Sequence, residues 1–512
     1  MTQNYKRIAK NTMFLYFRMI IIMAVSFYTI RVVLDTLGVT DFGLYNLVAS
    51  FVAIMVFLNG TLTSGTQRFL TFEIGKNDLK KLKQTFSTAL LIHIALAFLI
   101  LLLGETIGLW FLYEKMNIPP DRFDAAFWAY QFAIFSTMIT VMQVPYNALI
   151  IAHERMHIFA YISILEDVLK LLIVYLLLIS SYDKLISYAI LMFFVSVFIA
   201  YIYRTYVIKN YQESHFEFSF DKDIVKSMMH FSGWNIFGTL GSLLSAQGIN
   251  IILNIFFGPV AVAARAISMQ VSGGLSQFVN GFQQAVTPQI TKLYASNQIE
   301  EMNKLLYQNS KYAFLLLWFL ALPVLMQTEY ILNLWLVEVP ENAVLFCQII
   351  ILHASIMSLN RPYVMAIHAT GNMKQTNVTA GVILILVLPI SYILLDNGFS
   401  IITPLIIFMV ATMLCFIIEL YYLKKWINVS VISLFKNTLF PVSIISIISI
   451  IPVYLIINLY EHSFIKFLFV TFFSMFIVFV LSYIIALDKE EKTKLKTIIK
   501  NKISKGKKLE NY

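Results

Sequence analysis

Of the 512 residues, 59% are hydrophobic and 15% aromatic while only 13% are charged, a balance that excludes a water-soluble domain of this length. The formal charge of +10 does not point to nucleic acid, because the Lys and Arg sit mainly in the connections between apolar stretches. Two cysteines, Cys347 and Cys415, each in apolar surroundings, provide neither a disulfide framework nor metal-ligand spacing.

A hydrocarbon core about 30 Å thick needs roughly 20 apolar helical residues per crossing. Fourteen stretches meet that length, so the expected fold is all-α and integral to the membrane. In chain order they lie near 12–33, 43–65, 86–112, 123–151, 161–180 and 185–206, then 228–256, 262–290, 312–336, 343–369, 376–396 and 400–423. A last pair lies near 437–459 and 464–487. With Lys and Arg at the ends of crossings counted in the adjoining connection, 29 of the 38 fall on one side and 5 on the other, which predicts both termini in the cytoplasm. The basic tail carries Leu495, Ile498, Ile499 and Ile503 at helical spacing, which suits either a segment lying on anionic membrane lipids or a solvated tail.

Landmarks in the first half return in the same order at an offset between 217 and 225. Leu34 and Gly38 match Leu253 and Gly258, Glu105 matches Glu329, Pro119 matches Pro340, and Pro145-Tyr146 matches Pro362-Tyr363. Each repeat holds six crossings, an even number, so both enter the membrane in one orientation. Two lobes are expected, 1–226 and 227–425, related by a pseudo-two-fold axis along the membrane normal. A two-helix hairpin, 426–487, and a basic cytoplasmic tail, 488–512, follow. Because the first helix belongs to the repeat, it is expected to remain in the mature chain. Pro145 and Pro362 bend their helices and are candidate hinges, with a static kink as the plainer reading.

Charges inside crossings cost roughly 2.5 to 3.5 kcal/mol each at the bilayer centre. Lys170 has Glu166 four residues earlier and Asp167 beside it, an intramembrane ion pair or relay. Arg18, Arg265 and Arg361 have no acid within a helical turn, so they are neutralised by other helices or face a wet cavity awaiting an anion. Guanidinium forks two hydrogen bonds onto phosphate oxygens, which suits the second option. Ser272, Ser276 and Gln283 continue the face of Arg265, and Gln247, Asn250 and Asn254 form a stripe on the preceding crossing. These are candidate cavity-lining residues, although such stripes also glue helices together.

The stretch RVVLDTLGVTDFG from Arg31 to Gly43, then LYNLVAS and TQRFLTFEIGK, resembles the N-terminal signature of polysaccharide flippases. So do PYNALIIAHERM, Pro145 to Met156, and QGINIILNIFFGPVAVAARAISMQV, Gln247 to Val271. The resemblance is to Wzx-type O-antigen flippases of Bacteroidetes-like bacteria, in the multidrug/oligosaccharidyl-lipid/polysaccharide (MOP) exporter superfamily, and covers about residues 5–425. It implies a MATE-like fold in the bacterial cytoplasmic membrane. It also implies transfer of a polyprenyl-diphosphate-linked oligosaccharide, an O-antigen or capsular repeat unit, by alternating access, without a cofactor. Arg18 and Arg265 lie where basic cavity residues of the family are expected to hold the diphosphate. Other polysaccharide-assembly membrane proteins are implied partners.

Two alternatives stand. One is a MATE-like drug or cation antiporter, disfavoured by a basic interior. The other is an intramembrane enzyme using His153-Glu154-His157, which satisfies the H-E-x-x-H zinc pattern but falls at a turn and has no evident third ligand.

Overall fold

A computed structural model describes residues 2–76, 78–217, 222–459, 463–488 and 491–493. Among them every regular element is helical. In chain order these are α1 (Thr2–Met55), α2 (Phe57–Lys76), α3 (Leu79–Leu103), α4 (Leu109–Glu114), α5 (Phe123–Ala152), α6 (Met156–Ile179), α7 (Lys184–Asn210) and α8 (Lys222–Ala295). There follow α9 (Ile299–Met326), α10 (Thr328–Trp335), α11 (Ala343–Thr370), α12 (Met373–Asp396), α13 (Thr403–Ile427), α14 (Val431–Leu434), α15 (Phe440–Leu459) and α16 (Phe464–Leu481). Without water in the bilayer every backbone group must be paired internally, and continuous helices do that.

Eleven helices among the described residues are long and apolar enough to cross a membrane. Two of them, Met19–Met55 and Leu240–Gln283, each carry parts of two expected crossings. The helix outside the eleven that matches an expected crossing is α6, which carries Glu166, Asp167 and Lys170.

Helix α8 has 74 residues, which would run about 110 Å if straight, far more than a bilayer. It doubles back at Gly258 (φ 76°, ψ −174°), and α1 does the same at Gly38 (φ 78°, ψ 167°). Only glycine occupies this region comfortably, because a Cβ would collide with the chain's own backbone. The two bends are the pair matched by the sequence repeat, and they lie close together. A Cβ on Gly43 would strike the carbonyl oxygen of Pro259.

The chain packs as two units. The first comprises Met1–Gln270, Asn333–Phe346 and Met373–Cys415, the second Val271–Leu332, Cys347–Asn372 and Phe416–Tyr512. In the first unit α5 packs on α2, α3 and α7, and α1 on α6. Its core gathers Leu47, Phe51, Ile100, Leu112, Tyr130 and Ile134. The Tyr130 hydroxyl donates to the Gly104 carbonyl at 2.9 Å, at the start of a π-helical turn, Gly104–Gly108. In the second unit α15 and α16 pack on α9, with Trp318 Nε1 donating to Ser449 Oγ at 3.1 Å.

Candidate functional site

The bends at Gly38 and Gly258 make two helical hairpins, and a cavity of about 520 Å³ opens between them within the first unit. Thr29, Asn46 and Ser50 line it from α1, Tyr188 from α7, and Gln247, Asn250, Arg265 and Gln270 from α8. Among its described lining residues Arg265 is the one charged side chain, and no carboxylate is present.

Arg265 is 3% exposed. Its Nη1 donates to Asn250 Oδ1 at 2.6 Å and its Nη2 to the Ala246 carbonyl at 2.8 Å, while its Nε has no acceptor. Both acceptors are neutral, so the hydrogen bonds orient the guanidinium without cancelling its charge. A buried ion in this state carries a desolvation penalty of several kcal/mol, which an entering anion would offset. Asn250 Nδ2 in turn donates to Ser50 Oγ at 2.6 Å, and Ser50 donates to the Asn46 carbonyl at 2.7 Å. Nearby, Gln270 Nε2 donates to Ser26 Oγ at 3.0 Å.

The other sequence candidates fall elsewhere. Asn254 does not line the cavity: its side chain grips the loop before Pro119, accepting from the Asn117 N–H at 2.9 Å and donating to the Asn117 carbonyl at 3.0 Å. Ser272, Ser276 and Gln283 belong to the second unit, where Gln283 donates to the Ser358 carbonyl at 2.8 Å. Arg361 is also in the second unit, exposed, and donates to Asn280 Oδ1 at 2.8 Å. Arg18 is carried by α1, but its side chain lies outside the described residues. Lys170 Nζ bonds Glu166 at 2.6 Å and Asp167 at 3.5 Å, the local pairing that their spacing implies. Pro145 and Pro362 lie inside α5 and α11 and are buried.

The H-E-x-x-H segment is not one continuous helix. Helix α5 ends at Ala152, Glu154 takes φ 58°, and α6 begins at Met156. A zinc site of this type needs both histidines one turn apart on one helix, and here the turn separates them. His153 instead bonds Glu213 at 2.6 Å and stacks on Tyr211, with ring centroids 4.2 Å apart. No group of three His, Cys, Asp or Glu able to hold a metal occurs among the described residues.

One cluster was not singled out in the sequence. Arg122 forks onto Asp41, with Nε to Oδ1 at 2.8 Å, and bonds Asp183 through Nη1 at 2.6 Å. Asp183 also accepts the N–H groups of Leu185 and Ile186 as the cap of α7. The legible signal was the Asp before the apolar run of α7, a capping position. Ser50 had a signal too, four residues after Asn46 in an otherwise apolar stretch.

The sequence profile of the polysaccharide biosynthesis protein family matches residues 8–294, more than half of the chain. The chain belongs to that family. The MatE profile matches residues 235–393. Among solved structures, lipid II flippase MurJ in an inward closed conformation has a TM-score of 0.66 at 15% identity, covering 93% of this chain and 98% of that one. An inward-facing multidrug resistance MATE family transporter of the MOP superfamily gives 0.61 at 15% identity, covering 81% and 96%. A MOP superfamily transporter from Pyrococcus furiosus, described as having a binding pocket of reverse polarity, gives 0.58 at 14%, covering 83% and 96%. No curated protein matches the sequence. This polysaccharide biosynthesis family member is therefore a multi-pass membrane protein with the MATE-like fold.

Proposed function

We propose that this protein carries a polyprenyl-diphosphate-linked oligosaccharide, an O-antigen or capsular repeat unit, from the cytoplasmic to the outer leaflet of a bacterial cytoplasmic membrane. The observation that supports this most is the buried Arg265, held by neutral acceptors in a cavity whose described lining has no carboxylate. A diphosphate supplies the missing negative charge, and guanidinium takes phosphate oxygens two at a time. At about 520 Å³ the cavity has the volume of a small-molecule pocket, room for the diphosphate and an adjoining sugar. The rest of the glycan requires the hairpins to part, and the polyprenyl chain stays in lipid throughout. The lobes, 1–226 and 227–425, would rock to expose the cavity to each side in turn, with Pro145 and Pro362 as candidate hinges. Arg18 and Arg361 are proposed to meet the diphosphate earlier or later in that cycle.

The drug or cation antiporter reading draws on the MatE match, but a cationic cargo calls for a carboxylate where this cavity presents a guanidinium. Binding decides between the two. Purified protein should bind a polyprenyl-diphosphate sugar and lose it in Arg265→Ala, and deletion of the gene should leave lipid-linked glycan on the inner leaflet. Undiminished binding by Arg265→Ala, or binding of organic cations alone, would reject the proposal.

A further inference from the structure

Four groups join into one directed chain. Ser50 donates to the Asn46 carbonyl, Asn250 donates to Ser50, and Arg265 donates to Asn250. The direction is forced, because guanidinium has donors only. Asn250 must therefore turn Oδ1 toward Arg265 and Nδ2 toward Ser50, and Ser50 must accept there and send its own hydrogen to Asn46. The chain crosses from the α1 hairpin to the α8 hairpin, so it fixes the guanidinium to both.

We infer that Asn250 sets the sign of this cavity, and that Ser50, acting through Asn250, is the positioning residue that holds Arg265 retracted against its wall. The inference rests on the anion-carrying reading above and extends it to how that site is tuned. Arg265 has five N–H donors, of which the bonds to Asn250 and Ala246 use two, and its Nε–H is buried without an acceptor. An arriving phosphate competes with Asn250 for this arginine. The bond to the amide oxygen is charge-assisted on the donor side alone, whereas an anion adds an opposite charge on the acceptor side, so the amide holds the guanidinium at rest and yields it to an anion. An aspartate at 250 has nearly the same shape, and its second oxygen can accept from the Ser50 hydroxyl. It would neutralise Arg265 permanently, without a steric clash. One nitrogen-to-oxygen change thus converts a site for anions into a neutral one.

The test uses full-length purified protein, inorganic pyrophosphate as the anion probe, and the arginine-selective reagent phenylglyoxal, read by mass spectrometry at residue 265. Asn250→Asp should lower pyrophosphate affinity about tenfold or more while leaving the melting midpoint unchanged or higher. Ser50→Ala should speed labelling of Arg265 severalfold and, by loosening the competing acceptor, raise pyrophosphate affinity, Asn250→Ala should do the same, and Ser50→Thr should restore both wild-type values. Opposite responses of Asn250→Asp and Asn250→Ala are not produced by loosened packing alone. Wild-type affinity in Asn250→Asp overturns the sign assignment, and a wild-type labelling rate in Ser50→Ala overturns the positioning role. If wild-type protein binds no pyrophosphate, the anion-carrying reading falls with the sign assignment, and labelling still decides the role of Ser50.

Discussion

An arginine in a membrane protein is read by what accepts its hydrogens. Arg265 meets two neutral oxygens, whereas Arg122 meets two carboxylates, Asp41 and Asp183, at side-chain exposures of 24%, 13% and 29% for the three. Charge is left over in the first case and cancelled in the second, which makes Arg265 the candidate ligand site of the proposed function and Arg122 a strap between three elements. Arg122→Ala should strand two partly buried carboxylates and cost about 2 kcal/mol, read as a lower thermal midpoint in detergent. Burial pushes the Asp183 carboxyl up, but the hydrogen bonds from Arg122, Ile186 and Leu185 outweigh it and hold the group below its ordinary value. A depressed acid stabilises above its unfolded pKa and loses that contribution as pH falls through the folded one. The stability difference between wild type and Asp183→Asn should therefore be flat above the ordinary carboxylate range and close as the pH falls below it.

At the scale of elements, the two glycine bends decide what α1 and α8 can be. A Cβ at Gly38 meets nothing within 4 Å, so Gly38→Ala tests the backbone alone and should cost about 1–3 kcal/mol through its positive φ. Gly43→Ala should be worse, because its Cβ meets the rigid backbone of Pro259, and the hairpins would have to separate. Monodispersity and melting in detergent should rank wild type above Gly38→Ala, and Gly38→Ala above Gly43→Ala. The polar stripe of Gln247, Asn250 and Asn254 shows how far helical periodicity reaches. It placed the three on one face, and the first two line the cavity. One turn further on, Asn254 meets the Asn117 loop instead, because periodicity specifies a face of its own helix and not which neighbour covers each turn.

For the whole molecule, the distribution of Lys and Arg predicts which side each connection faces. Cys347 and Cys415 are both buried, so background labelling by thiol reagents should be low. A cysteine at Lys80 should then react with an impermeant thiol reagent only in inverted vesicles, and one at Lys115 only in intact spheroplasts. The reverse pattern would overturn the orientation. The many-helix membrane character was legible because it depends on a summed property, hydropathy over twenty residues, that survives any particular packing. Lys170 and its acids were legible because the pairing is local to one helix turn.

The sequence by itself determined a many-helix membrane protein with matched glycines at Gly38 and Gly258 and basic residues too costly to be idle. Tertiary structure alone decided which of those basic residues share a cavity with what. Arg265, Asn250 and Ser50 are separated by 15 and 200 positions and meet through two hairpin bends. The physical reason is that a hydrogen bond depends on position and direction within a few tenths of an ångström, and neither composition nor periodicity carries that information across distant segments.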